Sequence, residues 1–168
     1  MPLGSDYAGQ QCAIARSLEI VGERWTLLIV RDLFYGVRRF NDFRKHIGVP
    51  SATLTQRLND LVEAGVVARV SGSGARDEYE LTARGAALWP VISALGSWGR
   101  ESLEPDERHQ YTHVRCGSAL IDGRCETCQL APPAADIVME PSRRENPSTD
   151  PVTRALRRPH RLLEPLAV

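Results

Sequence analysis

The sequence lacks any apolar run approaching the 18 residues of a membrane-spanning helix, and its N-terminus has no apolar signal core. These two absences predict a cytoplasmic protein. Net charge is also absent, because 21 basic residues balance 21 acidic ones, so no overall field favours a polyanionic partner. Lys45 is the only lysine, and there are only four cysteines. Four cysteines in a cytosolic chain favour metal binding, redox chemistry or packing over structural disulfides.

The neutral total conceals a local basic region between residues 36 and 76, where seven basic residues accompany three acidic ones. The basic residues are Arg38, Arg39, Arg44, Lys45, Arg57, Arg69 and Arg76. They surround the segment SATLTQRLNDLVEAGVV, in which Leu54, Leu58 and Leu61 recur at helical spacing and predict a buried stripe. The opposite face carries hydroxyls, an amide and a guanidinium, with no carboxylate before Asp60.

The order of the predicted elements is that of a winged helix-turn-helix. Helices are predicted over 12–22, 23–36, 38–48 and 51–65, with Ser51 as the N-cap of the fourth. The segments VVARVS and DEYELT alternate as strands do and flank a glycine-rich tip. Thr82 is predicted to cap a last helix that Pro90 kinks. The predicted fold class is mainly α with a small β-hairpin, dimeric, with a small Cys/His-containing C-terminal appendage.

The outer face of the fourth helix suits a DNA major groove. Gln56 can bond adenine, Arg57 can bond guanine or a phosphate, and small hydroxyl side chains suit phosphates or the thymine methyl group. The predicted DNA-binding residues are Arg38, Arg39, Lys45, Ser51, Thr53, Thr55, Gln56, Arg57, Arg69 and Arg76. The alternative is a winged-helix module that docks other proteins and does not bind DNA.

The motifs GERWTLLI, RRFNDF and LTQRLNDL, followed by EYELTARG, stand in this order. Over residues 12–102 the chain closely resembles the HxlR-type family of bacterial transcriptional regulators, relatives of the MarR group. The resemblance implies a homodimeric DNA-binding transcription factor, a repressor more often than an activator. It also implies that the first and last helices build the dimer interface.

Apolar residues of these two helices give the dimer a reason in the sequence. Leu18, Trp89, Ile92, Leu95 and Trp98 offer more apolar surface than one short domain covers easily. A two-fold dimer would place two reading helices about one DNA turn apart, which predicts an inverted-repeat operator. The alternative is that the tryptophans pack within one subunit or under the tail.

Cys12 occupies the position of the family's N-terminal cysteine, which is a thiol switch in some relatives. Ala13 stands where the family often has proline. A cysteine at a helix N-terminus is expected to have a lowered pKa. The alternative role is a small buried residue at the dimer seam. Either oxidation of Cys12 or a small-molecule effector is expected to release the DNA.

Two chelating pairs, His113 with Cys116 and Cys125 with Cys128, predict a structural zinc site, since two short turns can present four ligands tetrahedrally. Gly117 fits the first knuckle turn, whereas Gln129 stands where a second knuckle glycine would be expected. A Cys125–Cys128 redox pair, a reaction of Cys12 with a tail cysteine, and inert thiols are the alternatives.

Four segments are predicted: an N-terminal arm, 1–11; the DNA-binding and dimerisation domain, 12–103; the Cys/His appendage, 104–130; and a Pro/Arg-rich, largely extended tail, 131–168. Catalysis is not predicted. His46, His109 and His160 have no acid or nucleophile at recognisable spacing, and the Cys-x-x-Cys pair lacks the strand-helix-strand context of a disulfide oxidoreductase.

Overall fold

Four helices and a hairpin form the first half of the chain in a computed structural model, which describes residues 7, 9–72, 77–144 and 146–168. The helices are α1 Ala13–Val21, α2 Thr26–Phe34, α3 Phe40–Ile47 and α4 Ser51–Glu63. Strands β1 Val67–Ser71 and β2 Asp77–Leu81 pair antiparallel, with Val67 opposite Leu81. This order confirms the predicted winged helix-turn-helix fold.

Helix α2 lies at the centre of the core, as its apolar sequence predicts. Ile29, Val30 and Phe34 have no exposed surface. The leucine stripe of α4 closes the core from the other side, because Leu54, Leu58 and Leu61 are also fully buried. Burial of one such side chain contributes roughly 1.5–3 kcal/mol, so this stripe fixes which face of α4 remains outside.

The turn between α3 and α4 orients the outer face of α4. Gly48, in the left-handed region at φ +74°, ends α3, and the buried Val49 anchors the turn. The predicted cap at Ser51 is wrong: Pro50 occupies the N-cap position and no side chain caps α4. The Pro50 carbonyl already accepts the Leu54 N–H at 2.9 Å, so Ser51 is the first helical residue and its hydroxyl remains outside.

The predicted last helix is divided into α5 Ala83–Ala86 and α6 Trp89–Gly99. Thr82 caps α5 as expected, accepting the Gly85 N–H at 3.1 Å. Pro90 does not kink a long helix, because it lies in the first turn of α6. A proline there costs no ladder bond, since the first N–H groups of a helix have no partner within it.

The C-terminal part is more structured than the sequence predicts. Strands β3 Gln110–His113, β6 Ile137–Glu140 and β7 His160–Arg161 form an antiparallel sheet in the order β3-β6-β7. The hairpin of β4 Leu120–Ile121 and β5 Arg124–Cys125 follows β3, and α7 Pro151–Ala155 precedes β7.

The expected boundary at 130/131 and the extended tail both differ from this arrangement. Strand β6 of the predicted tail pairs with β3 of the predicted appendage. Ile137, Met139, Val152 and Leu162 are buried in the common core. The alternation of Ile137 and Met139 is a strand signal that the surrounding prolines and arginines obscured.

The last residues are bonded to the end of α2. Leu163 donates its N–H to the Phe34 carbonyl at 2.8 Å, and Leu166 donates to the Gly36 carbonyl at 2.9 Å. Gly36 has a φ of +79°, and a Cβ there would overlap the carbonyl oxygen of Glu164. Glycine is therefore required at this position. Within the described residues, no helix has the length and apolar content to cross a membrane.

Candidate nucleic-acid interface and thiol cluster

The outer face of α4 is polar and uncovered. Ser51, Thr55, Gln56 and Asn59 are exposed. Thr55 Oγ1 donates to the Ser51 carbonyl at 3.0 Å, and Gln56 Nε2 donates to Asp60 Oδ1 at 2.6 Å. These partners belong to α4 itself, so the side chains can exchange them for base edges without disturbing the core.

Asn59 is a member of this face that the sequence-based prediction missed. It follows Thr55 and Gln56 by one helical turn, and its Oδ1 accepts a hydrogen bond from Arg69 Nη2 at 3.0 Å. The contact joins α4 to β1 of the wing. The i, i+3 and i, i+4 spacing from Gln56 and Thr55 was the signal that could have identified it.

Arg57 projects less than predicted. Only 23% of its side chain is exposed, and its Nη1 lies 3.7 Å from Glu23 Oε2 and 3.3 Å from Asp60 Oδ2. Thr53 is also partly buried. The guanidinium of Arg57 therefore bridges α4 to the residues before α2, and it can reach DNA only by giving up these contacts.

Carboxylates of β2 neutralise much of the expected basic region. Arg38 pairs with Glu80. Arg39 Nε lies 3.2 Å from Glu78 Oε1. Arg69 Nε lies 3.6 Å from Asp77 Oδ2. The three carboxylates follow residue 76 in the chain, so the charge count over 36–76 did not include them. Arg76, predicted at the wing tip, lies outside the described residues.

Two basic side chains of α3 are exposed and unpaired within the described residues. Arg44 and Lys45 are exposed in its last turn. Neither forms an ion pair with any residue that the structure describes. Lys45 was a predicted phosphate ligand, and Arg44 was counted in the basic region without being given that role. Their position just before the turn into α4 suits contact with the DNA backbone.

Helices α1 and α6 expose large apolar side chains. On α1 these are Ile14, 71% exposed, and Leu18, 42% exposed. On α6, Leu95 is 48% and Trp98 is 80% exposed, whereas Ile92 is partly buried against the core. Leu18, Leu95 and Trp98 are therefore exposed on the subunit surface, and their place in a dimer interface stays a prediction.

Trp89 departs from this prediction because it belongs to the core of its own subunit. It is 5% exposed, and its ring packs edge-on against Phe34 at 5.2 Å and Tyr111 at 5.4 Å between centroids. Tyr111 lies on β3, so Trp89 joins the winged helix to the C-terminal sheet. The alternative role that the sequence left open, packing within one subunit, holds for Trp89.

The structure brings the four predicted metal ligands together. One ligand atom each from His113, Cys116, Cys125 and Cys128 lies within 4.8 Å of the others. Cys116 Sγ is 3.4 Å from His113 Nδ1, 3.4 Å from Cys125 Sγ and 3.5 Å from Cys128 Sγ. A zinc–sulfur bond of about 2.3 Å requires edges of about 3.8 Å in a tetrahedron, so the donor set fits a metal ion.

Each chelating pair lies in its own turn, and the two turns have the same hydrogen-bond pattern. Gly117 donates its N–H to the His113 carbonyl at 2.8 Å, and Gln129 donates to the Cys125 carbonyl at 2.9 Å. Gln129 has a φ of +55°, close to the +71° of Gly117. Gln129 thus adopts the left-handed conformation expected of a knuckle glycine, which removes the objection that the sequence raised.

Two of the thiols have shifted pKa values. Hydrogen bonds from the backbone and side chain of Ser118 lower the pKa of the Cys116 thiol to about 6. The hydrogen bond with Cys116 raises the pKa of the Cys128 thiol to about 11. The lowered pKa favours the thiolate form of Cys116, and thiolate is the form that binds metal. Cys12 is exposed at the N-cap of α1 and is not part of this cluster.

The fold and the uncovered face of α4 define the class: a winged helix-turn-helix DNA-binding protein. Residues 20–107 match the family described as HxlR-like helix-turn-helix. An uncharacterized HTH-type transcriptional regulator of Mycobacterium tuberculosis is 42% identical over 135 residues, covering 77% of this chain and 85% of the relative. One from Synechocystis is 34% identical over 118 residues, covering 68% and 82%.

Solved structures agree with these relatives. The crystal structure of PA1607, described as a candidate transcription factor, is 38% identical with a TM-score of 0.60, covering 74% of this chain and 89% of that one. The oxidized form of the redox regulator HypR is 29% identical with a TM-score of 0.51, covering 55% and 98%. The chain belongs to the HxlR-like helix-turn-helix family and is a DNA-binding transcription regulator. Proteins of this class are not enzymes.

Proposed function

We propose that the protein is a cytoplasmic repressor that binds an inverted-repeat operator as a homodimer. The observation that supports this proposal is the uncovered polar face of α4, on which Thr55, Gln56 and Asn59 stand exposed beside the wing. Each α4 would enter a major groove. Gln56 and Asn59 have the amide groups that bond adenine in a bidentate way, and the Thr55 methyl suits thymine.

The remaining polar residues of the interface are assigned to the phosphate backbone. We assign Arg44 and Lys45 to phosphates before α4, and Ser51 to the phosphate at its first turn. The other proposed phosphate contacts are made by Arg38, Arg39, Thr53, Arg57, Arg69 and Arg76. The arginines of this set that pair with carboxylates have the positioning of the wing and α4 as their main role, and contact with DNA as an additional one.

The dimer is proposed to form through α1 and α6. Exposed apolar side chains on both helices, above all Ile14 and Trp98, have no cover within the described subunit. A two-fold axis between these surfaces would bury them and repeat α4 about one DNA turn away.

Selection of bound sequences from random DNA duplexes tests the function. The expected result is an inverted repeat whose half-sites are about 10 base pairs apart, bound with an affinity that falls steeply as salt rises. Recovery of no preferred sequence would favour the alternative, a protein-docking adaptor.

We further propose that His113, Cys116, Cys125 and Cys128 hold a structural zinc ion. The turn of this hairpin at Gly123 lies against Ser93 of α6, so the metal would support the helix assigned to the dimer. Protein purified without a histidine tag is expected to contain one zinc per chain by elemental analysis. The Cys125→Ser variant should contain less than half of that and melt at a lower temperature, whereas Cys12→Ser should change neither. Wild-type protein with far less than one equivalent would refute the proposal.

Release from DNA is assigned either to oxidation of Cys12, which is exposed at the start of α1, or to a small effector. An oxidant is expected to weaken operator binding by wild-type protein and not by Cys12→Ser. An equal response of both proteins would remove Cys12 from the mechanism. The description of HypR as a redox regulator is consistent with the first route.

A further inference from the structure

A cavity of about 790 Å³ lies between the helix-turn-helix and the C-terminal segment. Arg31 of α2, Tyr35 just after it and His46 of α3 form one wall, and residues 141–144, 146–147, 153 and 156–157 form much of the other. The second wall lies beyond residues 20–107, the part that matches the family. Its volume falls within the roughly 300–1,000 Å³ of small-molecule sites.

Guanidinium groups outnumber carboxylates in the described lining of this cavity. It includes Arg31, Arg143, Arg144 and Arg157, against the carboxylate of Glu107; Asp32, buried behind the lining, pairs with Arg31. Glu107 Oε1 is held by Arg144 Nη1 at 2.7 Å. Arg143 is exposed and forms no ion pair with the described residues. The excess of guanidinium groups, which bind carboxylate and phosphate in a forked geometry, favours an anionic ligand.

His109 also lines the cavity. Burial lowers the pKa of His109, and the nearby charge of Arg31 contributes to lowering it further.

Apolar surface accompanies these charges, beside the neutral polar side chains of Ser142, Asn146 and Thr153. Leu103, Leu156 and Tyr35 contribute carbon surface, and two prolines add to it. Tyr35 is held in place by a hydrogen bond of 2.9 Å between its hydroxyl and that of Tyr111. Such walls offer little to an inorganic anion and much to an organic acid with a hydrocarbon body.

Charged contacts around a buried aspartate link the cavity wall to the helix-turn-helix. Arg31 donates to Asp32 Oδ1 at 3.0 and 2.7 Å, and His46 Nδ1 lies 2.8 Å from Asp32 Oδ2. Asp32 is fully buried, so the triad joins α2 to α3, the first helix of the helix-turn-helix. Helix α7, beside the opposite wall, also packs against α3. A ligand that engages Arg31 and the α7 side would change the forces on α3.

We propose that this cavity binds a small organic carboxylate with an apolar body and that the bound ligand weakens DNA binding. The effect of the ligand on DNA binding rests on the proposed function as a DNA-binding regulator, whereas binding of the ligand does not. A carboxylate at Arg31 competes with Asp32 for the guanidinium and fixes α7 relative to α3. Either effect moves α3 and, through the Gly48–Pro50 turn, α4 away from the groove.

Phenylacetate is a suitable probe, with its uncharged analogue phenylacetamide as the matched ligand control. Isothermal titration calorimetry of the free full-length protein should detect phenylacetate and should show binding of phenylacetamide at least about tenfold weaker, the factor that 1.4 kcal/mol of charge-assisted bonding supplies. Arg143→Gln should weaken phenylacetate binding by a similar factor. Arg158→Gln, which removes an exposed arginine outside the cavity, should leave it unchanged.

The effect of the ligand on DNA binding is measured as the affinity for the operator that selection recovers. Saturating phenylacetate should weaken operator binding at least about fivefold, the lower end of typical allosteric coupling, and Arg143→Gln should blunt this effect. Absence of phenylacetate binding, equal binding of phenylacetamide or inorganic phosphate, or full binding by Arg143→Gln would overturn the site. Binding that leaves operator affinity unchanged or strengthened would overturn the regulation. If selection recovers no operator, the proposed function is refuted. The calorimetry needs no DNA, so it still decides whether the cavity binds the carboxylate.

Discussion

Substitution of Trp98 by glutamate should dissociate the proposed dimer while leaving the subunit folded. Trp98 is 80% exposed in the single chain. An aromatic side chain buries about 150–250 Å², so a partner would cover about 120–200 Å² of it. At about 25 cal/mol per Å² this burial is worth about 3–5 kcal/mol, and two-fold symmetry counts it twice. A loss of this size is large against the roughly 8 kcal/mol of a micromolar dissociation constant, which is what remains after the cost of association.

Sedimentation velocity and operator binding by fluorescence anisotropy are the assays. Wild-type protein should sediment as a dimer at micromolar concentration, and Trp98→Glu should sediment as a monomer with far-UV circular dichroism unchanged. Operator affinity should fall at least about 100-fold, because a monomer contacts one half-site. The matched control for sedimentation is Val168→Glu, which places the same charge at an apolar side chain that is 45% exposed and lies outside α1 and α6; because Val168 lies beside Arg38 and Arg39, this variant is not used as a control for operator binding. A wild-type monomer, or a Trp98→Glu variant that remains dimeric, would refute the reasoning.

Three further substitutions test the reading face and the C-terminal segment. Gln56→Ala should weaken operator binding by about 1–3 kcal/mol in anisotropy and change urea stability by less than about 0.5 kcal/mol; Glu63→Ala at the end of α4 is the control, and equal affinities would exclude Gln56 from readout. Met139→Ala should cost about 2–5 kcal/mol in urea unfolding because the side chain is fully buried, whereas a cost below 1 kcal/mol would show a loosely held tail. Asp150→Ala removes the N-cap of α7, in which Asp150 accepts the Thr153 N–H at 3.0 Å, and should cost about 0.5–2 kcal/mol at pH 7. Burial raises the pKa of Asp150, but hydrogen bonding with Thr153 and Ser148 outweighs burial and leaves this pKa lowered. The stability difference between wild type and Asp150→Ala should therefore persist above the unfolded pKa of about 3.9 and vanish as pH falls through the folded pKa. A stability difference that does not change with pH would contradict the capping role.

The winged helix could be predicted because its signals are local. Leu54, Leu58 and Leu61 repeat at helical spacing and are all fully buried, and the hairpin strands pair as their alternation indicates. The Cys-x-x-Cys and His-x-x-Cys spacings likewise specify two turns whose geometry the structure reproduces.

The C-terminal core could not be predicted in the same way, because its contacts join residues far apart in the chain. Met139 is buried against residues of distant segments, and strand β7 has only two residues, too few for a periodic signal. Trp89 was assigned to a partner because nothing in its own helix shows that Tyr111 would cover it. The pairing of Arg38 and Arg39 with Glu80 and Glu78 depends on the wing folding back, which a charge count along the chain does not include.

The central claim is that two copies of α4 read one face of a duplex through a two-fold dimer. Hydroxyl-radical footprinting of the selected operator tests it most directly. Two symmetric protected patches, centred about 10 base pairs apart on one face of the DNA, are the predicted result. A single patch, or protection without a symmetric partner, would contradict the account.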